Sequence, residues 1–345
     1  AKNNLRFCII ALSENDPILL SEYKKNVLTI RKSKKLDLGE ILQCVKQVKE
    51  KCQTDSLFIA PSTEALNRFL LKNRNVFEEN GCEIPLVEEA LYQQISDKGS
   101  FGKLCLSYGI KVPNTVEFNK ENIPFVVKPK FYETTEILSS PIIVDSEKIL
   151  NSIDFDSQNY YCQEYINGNS FYLLYYISKN KKIYRLDQEN LLQQPQGKSI
   201  VAARLISQFV DDRKFRNMCN TINFHGLVMI EIRIVNNEPY IIEENRRFWG
   251  PSQLFVDCGV NLFEYFLKDY DFKICDLKTE PRQTLYFWNG GMSSNVVYHN
   301  VKDFDFDEYI KYDIYKRPDT MEIYKQELID RLNSSYNVIS KHSQY

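Results

Sequence analysis

Two glutamates and an asparagine have the residue types and the spacing of a magnesium site. Glu231 lies in a run of alternating apolar and polar residues, and Glu243 and Asn245 lie two apart in a second run. Residues 235–239 between the runs have the composition of a turn, which predicts a hairpin in which Glu243 and Asn245 share a face and Glu244 points away. Carboxylate and amide oxygens are ligands of Mg2+, particularly when nucleotide phosphates complete the shell. A half-buried hairpin with charges on its solvent face explains these residues equally well.

The bulk composition predicts an ordinary soluble protein. At 345 residues the chain is long enough for two or three domains, and its 43% hydrophobic and 26% charged content is typical of globular proteins. A formal charge of −2 gives no reason to expect nucleic-acid or membrane binding, and no stretch approaches the roughly 18 apolar residues of a membrane span. Nine cysteines without a Cys-x-x-Cys pair and three separated histidines argue against zinc and disulfides. We expect a cytoplasmic protein with reduced thiols.

Short strands and helices alternate in the first part of the chain. The predicted strands are 5–12, 27–30 and 56–60, and amphipathic segments between them are predicted helices. This alternation predicts a doubly wound, mostly parallel sheet. The first glycine is Gly39, so no glycine-rich turn follows the first strand. A dinucleotide-binding fingerprint is therefore absent, and no nucleotide is assigned to this part.

A helix and a lysine-bearing strand follow. Ser96 or Asp97 can cap a helix that ends at Gly109. Residues 124–130 are then predicted to form a strand that stops at its proline. A lysine in such a strand is most often a solvated edge residue, so Lys128 by itself indicates no chemistry.

Four separated motifs occur in one order along the chain. These motifs are Asp97-Lys98 with Gly109–Pro113, Val126–Pro129, Gln163–Gly168, and Glu231 with Glu243–Arg247. Their order resembles that of the ATP-grasp superfamily of ATP-dependent ligases, over about residues 55–268. Each motif is common by chance, but their joint order and spacing are specific. The continuation through residues 247–262 is similar to the carboxylate–amine ligase branch related to carbamoyl-phosphate synthetase and biotin carboxylase.

The resemblance implies an α/β fold with a defined domain order. A Rossmann-like domain at 1–92 would precede a two-lobed ATP-grasp domain at 93–290. Within the latter, a small lid lobe would occupy about 120–166 and a catalytic lobe about 167–290. Residues 291–345 would be a C-terminal extension with no chemistry that the sequence names.

The resemblance also implies a reaction, in which ATP phosphorylates a carboxylate and an amine displaces phosphate from the resulting acyl phosphate. The implied cofactors are ATP and Mg2+, with Mn2+ as a substitute. The implied partners are a small-molecule carboxylate and amine, whose identities the sequence does not give, and a homodimer is compatible with the resemblance. A nucleotide-binding or structural protein with a weakened site is the alternative, and a biotin- and bicarbonate-dependent carboxylase is a third hypothesis.

Each matching position takes a role from the resemblance. Nucleotide contacts are implied for the phosphate-binding lysines, the hinge and a ribose-binding hydroxyl, namely Lys98, Lys128, Gln163, Glu164, Tyr165, Ile166 and Ser170. Magnesium ligands are implied for Glu231, Glu243 and Asn245. Arg247 would stabilise the transferring phosphoryl group, Arg204 would be a further phosphate or carboxylate contact, and Arg233 is expected to be structural.

Two departures from the family pattern concern nucleotide binding. Residues 130–141 contain no glycine, although the family's phosphate-covering flap is normally glycine-rich. The lid is therefore either absent or rebuilt from hydroxyl groups, those of Thr134, Thr135, Ser139 and Ser140. The acidic residue that often binds ribose is replaced by Asn169-Ser170.

Overall fold

The computed structural model describes residues 3, 5–130, 141–292, 296–299 and 304–330 as a mixed α/β fold. Its strands are β1 Ile9–Ala11, β2 Val27–Ile30, β3 Leu57–Phe58, β4 Cys82–Glu83, β5 Thr115–Val116, β6 Phe125–Pro129, β7 Ile142–Val144, β8 Tyr160–Glu164, β9 Asn169–Ile177, β10 Ile183–Gln193, β11 Ile200–Ile206, β12 Gly226–Val235, β13 Glu238–Asn245, β14 Leu285–Phe287 and β15 Val297–Tyr298. Its α-helices are α1 Leu38–Cys52, α2 Glu64–Lys72, α3 Arg74–Glu79, α4 Glu89–Ser96, α5 Lys98–Ser107, α6 Glu147–Leu150, α7 Arg213–Thr221, α8 Gln253–Cys258, α9 Leu262–Lys268 and α10 Phe306–Tyr309. The predicted lid hydroxyls of residues 134–140 lie outside the described residues.

The largest sheet is antiparallel and has the order β13-β12-β9-β10-β11-β14, with β15 added against β10. Residues directly opposite one another in such a sheet point to the same side. Glu231, Tyr172, Gln188 and Leu205 are successive partners across four strands. We call the side that carries them the site face and the other side the opposite face.

Both faces of this sheet are covered. The opposite face packs against α4, α5 and α7, with side chains such as Ile230 and Phe171 in that core. The site face packs partly against α8 and α9, with Leu174 and Met229 in the second core. The strands are therefore fixed from both sides, which holds their register and the direction of every side chain.

A second sheet carries the predicted lysine strand. It is antiparallel and has the order β5-β8-β6-β7. Phe125, Val127 and Cys162 fill a separate small core on one side of it. Alternation then turns Lys128 toward the other side, where β13 lies, and the residue is buried rather than solvated.

The N-terminal region differs from the expectation. β1 pairs with β2 and β3 with β4, each in parallel, but the pairs form two separate two-stranded sheets. The amphipathic segment between the predicted strands 27–30 and 56–60 forms α1, whose first turn is capped by the Asp37 carboxylate. A Rossmann-like domain with one continuous sheet is not confirmed, and the proposed domain boundaries remain predictions.

The hairpin at the centre of the prediction is β12–β13. Its turn is shorter than expected, because Asn236 and Asn237 alone link the strands, both with positive φ (51° and 62°). Asparagine tolerates this left-handed conformation, which two-residue hairpin turns of the type I′ class require. Near the far end of the hairpin, the register shifts between Glu231 and Ile232, leaving Ile242 as a bulge in β13.

The C-terminal part returns to the main sheet. β14 pairs with β11, β15 pairs with β10, and Tyr309 of α10 is buried in a core beside Leu192 and Phe287. No helix among the described residues is both long and apolar enough to span a bilayer.

Candidate active site

Two carboxylates meet where the β12–β13 hairpin bulges. Glu231 and Glu243 are direct partners in the register, so their side chains share the site face. Glu231 is buried, whereas the Glu243 side chain is 28% exposed. Like charges directly opposite one another destabilise a strand pair, so this arrangement needs positive charge nearby.

Two lysines from different elements supply that charge. Lys98, the first residue of α5, places Nζ 2.7 Å from Oε2 of Glu243. Lys128, on β6, donates from Nζ to the carbonyl oxygen of Ile242, at 3.0 Å. The bulge matters here because it turns that carbonyl out of the ladder, as bulges beside functional sites commonly do. Residues far apart in sequence thus converge on the β12–β13 hairpin.

The two carboxylates have very different pKa values. Burial raises the pKa of Glu231 to about 7, with Arg233 acting against the shift and Glu243 adding to it. Burial would also raise the pKa of Glu243, but Lys98, followed by Lys128 and Arg247, lowers it to about 2. The pKa values of neighbouring carboxylates commonly differ in this way. Glu243 is consequently the anion around which the cluster is built.

The lysines are themselves perturbed. Burial, and then the proximity of Lys98, lowers the pKa of Lys128 to about 8. For Lys98 burial again acts to lower the pKa, but the ion pair with Glu243 outweighs it and the pKa is raised. Perturbed values of this kind gather at functional sites more often than elsewhere.

The other predicted residues on this hairpin lie beside the cluster. Asn245 shares the site face and donates from Nδ2 to Oε1 of Glu243, at 3.4 Å. Arg247 is half-buried, and Nη1 donates to the carbonyl oxygen of Phe248 at 3.0 Å. Its charge contributes to the lowered pKa of Glu243, after Lys98 and Lys128.

The predicted hinge runs between the two sheets. Gln163 lines a cavity together with Lys98, Tyr161 and Glu243. Its Nε2 donates to the carbonyl oxygen of Pro113 at 3.3 Å, while its buried Oε1 has no hydrogen-bond partner among the described residues. A buried acceptor without a partner costs free energy, which a bound N–H donor would recover.

The remaining hinge residues form the segment that links the two sheets. Glu164 ends β8, and its Oε2 accepts from Nδ2 of Asn114 at 3.1 Å. Tyr165 and Ile166 then lead to Gly168. A Cβ atom on Gly168 would lie 2.3 Å from the carbonyl oxygen of Ile234, so only glycine fits this approach to β12.

Two predicted contacts are not brought into the cluster. Ser170 is fully buried, and its Oγ already accepts from Nδ2 of Asn190 at 2.8 Å, so it does not present a free hydroxyl to a ribose. Arg204 lies beside Leu205 on β11 and hence on the opposite face from Glu231. There it is exposed and pairs with Glu189, 2.7 Å away. The prediction for Arg204 is corrected on this register.

Several further site-face residues were not predicted to belong to the site. The site face around Glu231 is polar over a wide area, through Arg233, Tyr172, Gln188, Asn190, Gln193 and His299. One signal was readable, because residues 187–190 are four consecutive polar residues inside a strand. A half-buried strand normally alternates, so such a run indicates that both faces carry polar groups.

The donor set fits Mg2+ bound together with phosphates. No group of three or more His, Cys, Asp or Glu side chains is placed to hold a metal within the part of the chain that the structure describes. Two carboxylates with an amide are thus an incomplete cage by themselves. Mg2+ is usually held by one or two carboxylates with substrate phosphates and water, and the adjacent lysines suit those phosphates.

The fold is that of the ATP-grasp enzymes. The biotin carboxylase domain dimer of the Hydrogenobacter thermophilus 2-oxoglutarate carboxylase, solved with MgADP, ADP and bicarbonate, matches with a TM-score of 0.59 and 10% identity, over 81% of this chain and 68% of that one. The L-amino acid ligase from Bacillus licheniformis matches with a TM-score of 0.56 and 14% identity, over 84% and 80% of the two chains.

A Rhizobium etli pyruvate carboxylase matches with a TM-score of 0.57 and 14% identity, over 79% of this chain but only 27% of that longer chain. At such identities the likeness shows a shared fold. No family model matches the chain, and no curated protein matches it.

Proposed function

We propose that the chain is an ATP- and Mg2+-dependent ligase that activates a substrate carboxylate as an acyl phosphate and joins it to an amine. The observation that carries this proposal is the convergence of Lys98 and Lys128 on the Glu231–Glu243 pair within an ATP-grasp fold. Phosphoryl transfer between two anions requires their charges to be neutralised and their atoms aligned, and this cluster has the groups for both tasks.

The metal-binding role falls to the site-face oxygens. Glu231, Glu243 and Asn245 would hold Mg2+, which when bound neutralises phosphate charge. Glu243 is already an anion, since Lys98 lowers its pKa to about 2 after burial has acted in the other direction. Mn2+ has the same preference for oxygen ligands and is proposed as a substitute.

The cationic groups would bind and orient the anionic reactants. Lys128, with a pKa lowered to about 8 by burial and by Lys98, is still mostly protonated at pH 7 and can donate to a phosphate oxygen. Lys98 would shift part of its pairing from Glu243 to phosphate. Arg247 would stabilise the transferring phosphoryl group with its planar fork of donors.

The hinge would bind the base. The unpartnered Oε1 of Gln163 can accept from an exocyclic amine of adenine, and the backbone of residues 164–166 can supply further contacts. Glu164, Tyr165 and Ile166 are proposed for this role by their position between the sheets. A small-molecule carboxylate and a small-molecule amine are the proposed substrates, and a homodimer is a separate proposal that sedimentation tests.

The test is Mg2+-dependent ADP release with a panel of carboxylates, amines and bicarbonate. We expect turnover with a carboxylate–amine pair, and its loss in Glu231→Gln. Glu189→Gln is the matched control, because Glu189 lies on the same sheet but on the opposite face, paired with Arg204. Wild-type protein that neither releases ADP nor binds MgADP in calorimetry would overturn the proposal.

Two other results would identify the alternatives. MgADP binding without turnover on any pair would favour a nucleotide-binding or regulatory protein. Release of ADP that depends on bicarbonate would instead favour a carboxylase.

A further inference from the structure

Arg233 lies two residues from Glu231 on the same face and contacts it. Its Nη2 is 3.4 Å from Oε1 of Glu231. Arg233 is 9% exposed, so its guanidinium must be satisfied by protein groups. The partners it finds determine where it holds the Glu231 carboxylate.

Three further acceptors surround that guanidinium. Nη1 donates to the carbonyl oxygen of Gly168 at 3.2 Å, and Nη2 donates to Oε1 of Gln193 at 3.1 Å. Nδ1 of His299 lies 3.4 Å from Nη1. These acceptors come from three separate segments, so the direction of Arg233 depends on all of them.

The arrangement assigns the histidine tautomer. Arginine only donates, so Nδ1 of His299 accepts from Arg233. Nε2 of His299 then carries the proton and donates to Oε1 of Gln193, 2.8 Å away. Burial, and then Arg233, lowers the pKa of His299 to about 4, consistent with a neutral ring at neutral pH.

His299 is brought to this position by the strand that the C-terminal part adds to the main sheet. β15 pairs with β10, with Val297 opposite Gln193, and the backbone N–H of His299 donates to the carbonyl oxygen of Leu191 at 2.8 Å. Backbone hydrogen bonds of the sheet therefore hold His299 and Gln193 next to each other. We call these two residues one unit, because both side chains contact Arg233.

We infer that His299 and Gln193 are positioning residues, which hold Arg233 so that it in turn orients the Glu231 carboxylate at the candidate metal site. The inference rests on the proposed function, because it treats Glu231 as a ligand of the nucleotide-bound Mg2+. It gives β15 a role in the site. Partners of this kind behind a metal ligand alter metal affinity, commonly by 10- to 100-fold.

The experiment measures the Mg2+ concentration that gives half-maximal ADP binding by calorimetry. His299→Leu removes both side-chain hydrogen bonds, and we expect this concentration to rise about tenfold while binding at saturating Mg2+ stays close to wild type. His299→Asn retains an acceptor for Arg233 and should restore most of the Mg2+ affinity. A Mg2+ dependence of His299→Leu equal to that of wild type would overturn the inference.

A control separates positioning from general loosening of the C-terminal part. Tyr309→Leu disturbs the packing of α10 against Phe287 without touching Arg233, and it should leave the Mg2+ dependence unchanged. An equal rise in Tyr309→Leu would also overturn the inference. If His299→Leu does not fold, Gln193→Leu tests the same unit from its other side.

The two proposals fail differently. Wild-type protein that binds no ADP at any Mg2+ concentration overturns the proposed function and the inference with it. Wild-type binding that His299→Leu leaves unaltered overturns the inference alone.

Discussion

The two faces of β13 carry similar residues with different surroundings. On the site face, Glu243 and Asn245 meet cations that arrive from two other elements. On the opposite face, Glu244 pairs with Arg246, the residue that follows the end of β13, at 3.2 Å, with side chains 6% and 2% exposed. Arg246 also lies over the ring of Tyr92, 3.8 Å from its centroid, and donates to the Tyr92 carbonyl oxygen.

The difference lies in how the charges are matched. Glu244 has its own arginine, and the pair is enclosed against α2 and α4, where Asn67 and Tyr92 extend the hydrogen-bond network. Glu243 instead faces a second carboxylate, Glu231, directly across the register. A matched pair in a packed interface is sufficiently explained by stability. Two carboxylates opposite each other in the register, with lysines supplied by two other elements, indicate a ligand-binding site.

The largest expected effect is on the opposite face. Arg246→Met should lower the free energy of unfolding by about 3–5 kcal/mol, because it leaves Glu244 buried without its cation and removes the contact with Tyr92. Urea denaturation measures the change. Activity per folded molecule should be nearly unaltered, since Arg246 points away from the candidate site.

The double variant Glu244→Gln/Arg246→Met is the control for this prediction. It removes both charges and should recover much of the lost stability. A loss below about 1 kcal/mol in Arg246→Met would mean that the pair contributes no more than a surface ion pair.

The second prediction compares adjacent glutamates. Glu243→Gln should lower Mg2+-dependent ADP release by about 100-fold, since it removes the anion at the centre of the cluster and leaves Lys98 without its partner. Glu244→Gln makes the same chemical change on the opposite face and should alter turnover per folded molecule little. Equal losses in the two variants would contradict the assignment of the faces.

The third prediction concerns acid stability on the site face. Burial, and then Arg233, lowers the pKa of His299 from 6.5 to about 4. Between those pH values His299 therefore takes up a proton in the unfolded chain but not in the folded protein. The free energy of unfolding consequently decreases as pH falls from about 6.5 toward 4. The loss should be roughly 2 kcal/mol.

Denaturation of wild type and His299→Asn across that pH range checks the third prediction. The variant should show a shallower decline, because its side chain does not titrate. Parallel curves would show that His299 is protonated equally in both states.

The sequence predicted which side chains lie on the site face better than it predicted the strand register that positions them. Alternation along β12 and β13 correctly put Glu243 and Asn245 on one face and Glu244 on the other, because that parity is local. The resemblance singled out Lys98 and Lys128, which the structure brings to this hairpin. Neither argument could reveal the bulge at Ile242, which depends on register between strands.

The incorrect prediction and the contact that was not predicted both concern segments that are distant in sequence. The N-terminal strands were recognised, but a local pattern does not tell which strands pair, and one expected sheet is in fact two. The contact between Arg233 and His299 joins residues 66 positions apart. Nothing in the composition around His299 indicates that partner.

Arg204 provides the smallest expected effect and the sharpest test of the faces. It was predicted as a phosphate or carboxylate contact, yet its face can be assigned only by following the register from Glu231 through Tyr172 and Gln188 to Leu205. Its exposed pair with Glu189 should contribute no more than about 0.5 kcal/mol. Arg204→Gln should accordingly leave ADP release and the free energy of unfolding near wild type, whereas Arg247→Gln should sharply reduce ADP release. A tenfold or larger loss of turnover in Arg204→Gln would require this arginine to act at the site, and the separation of the faces would then be wrong.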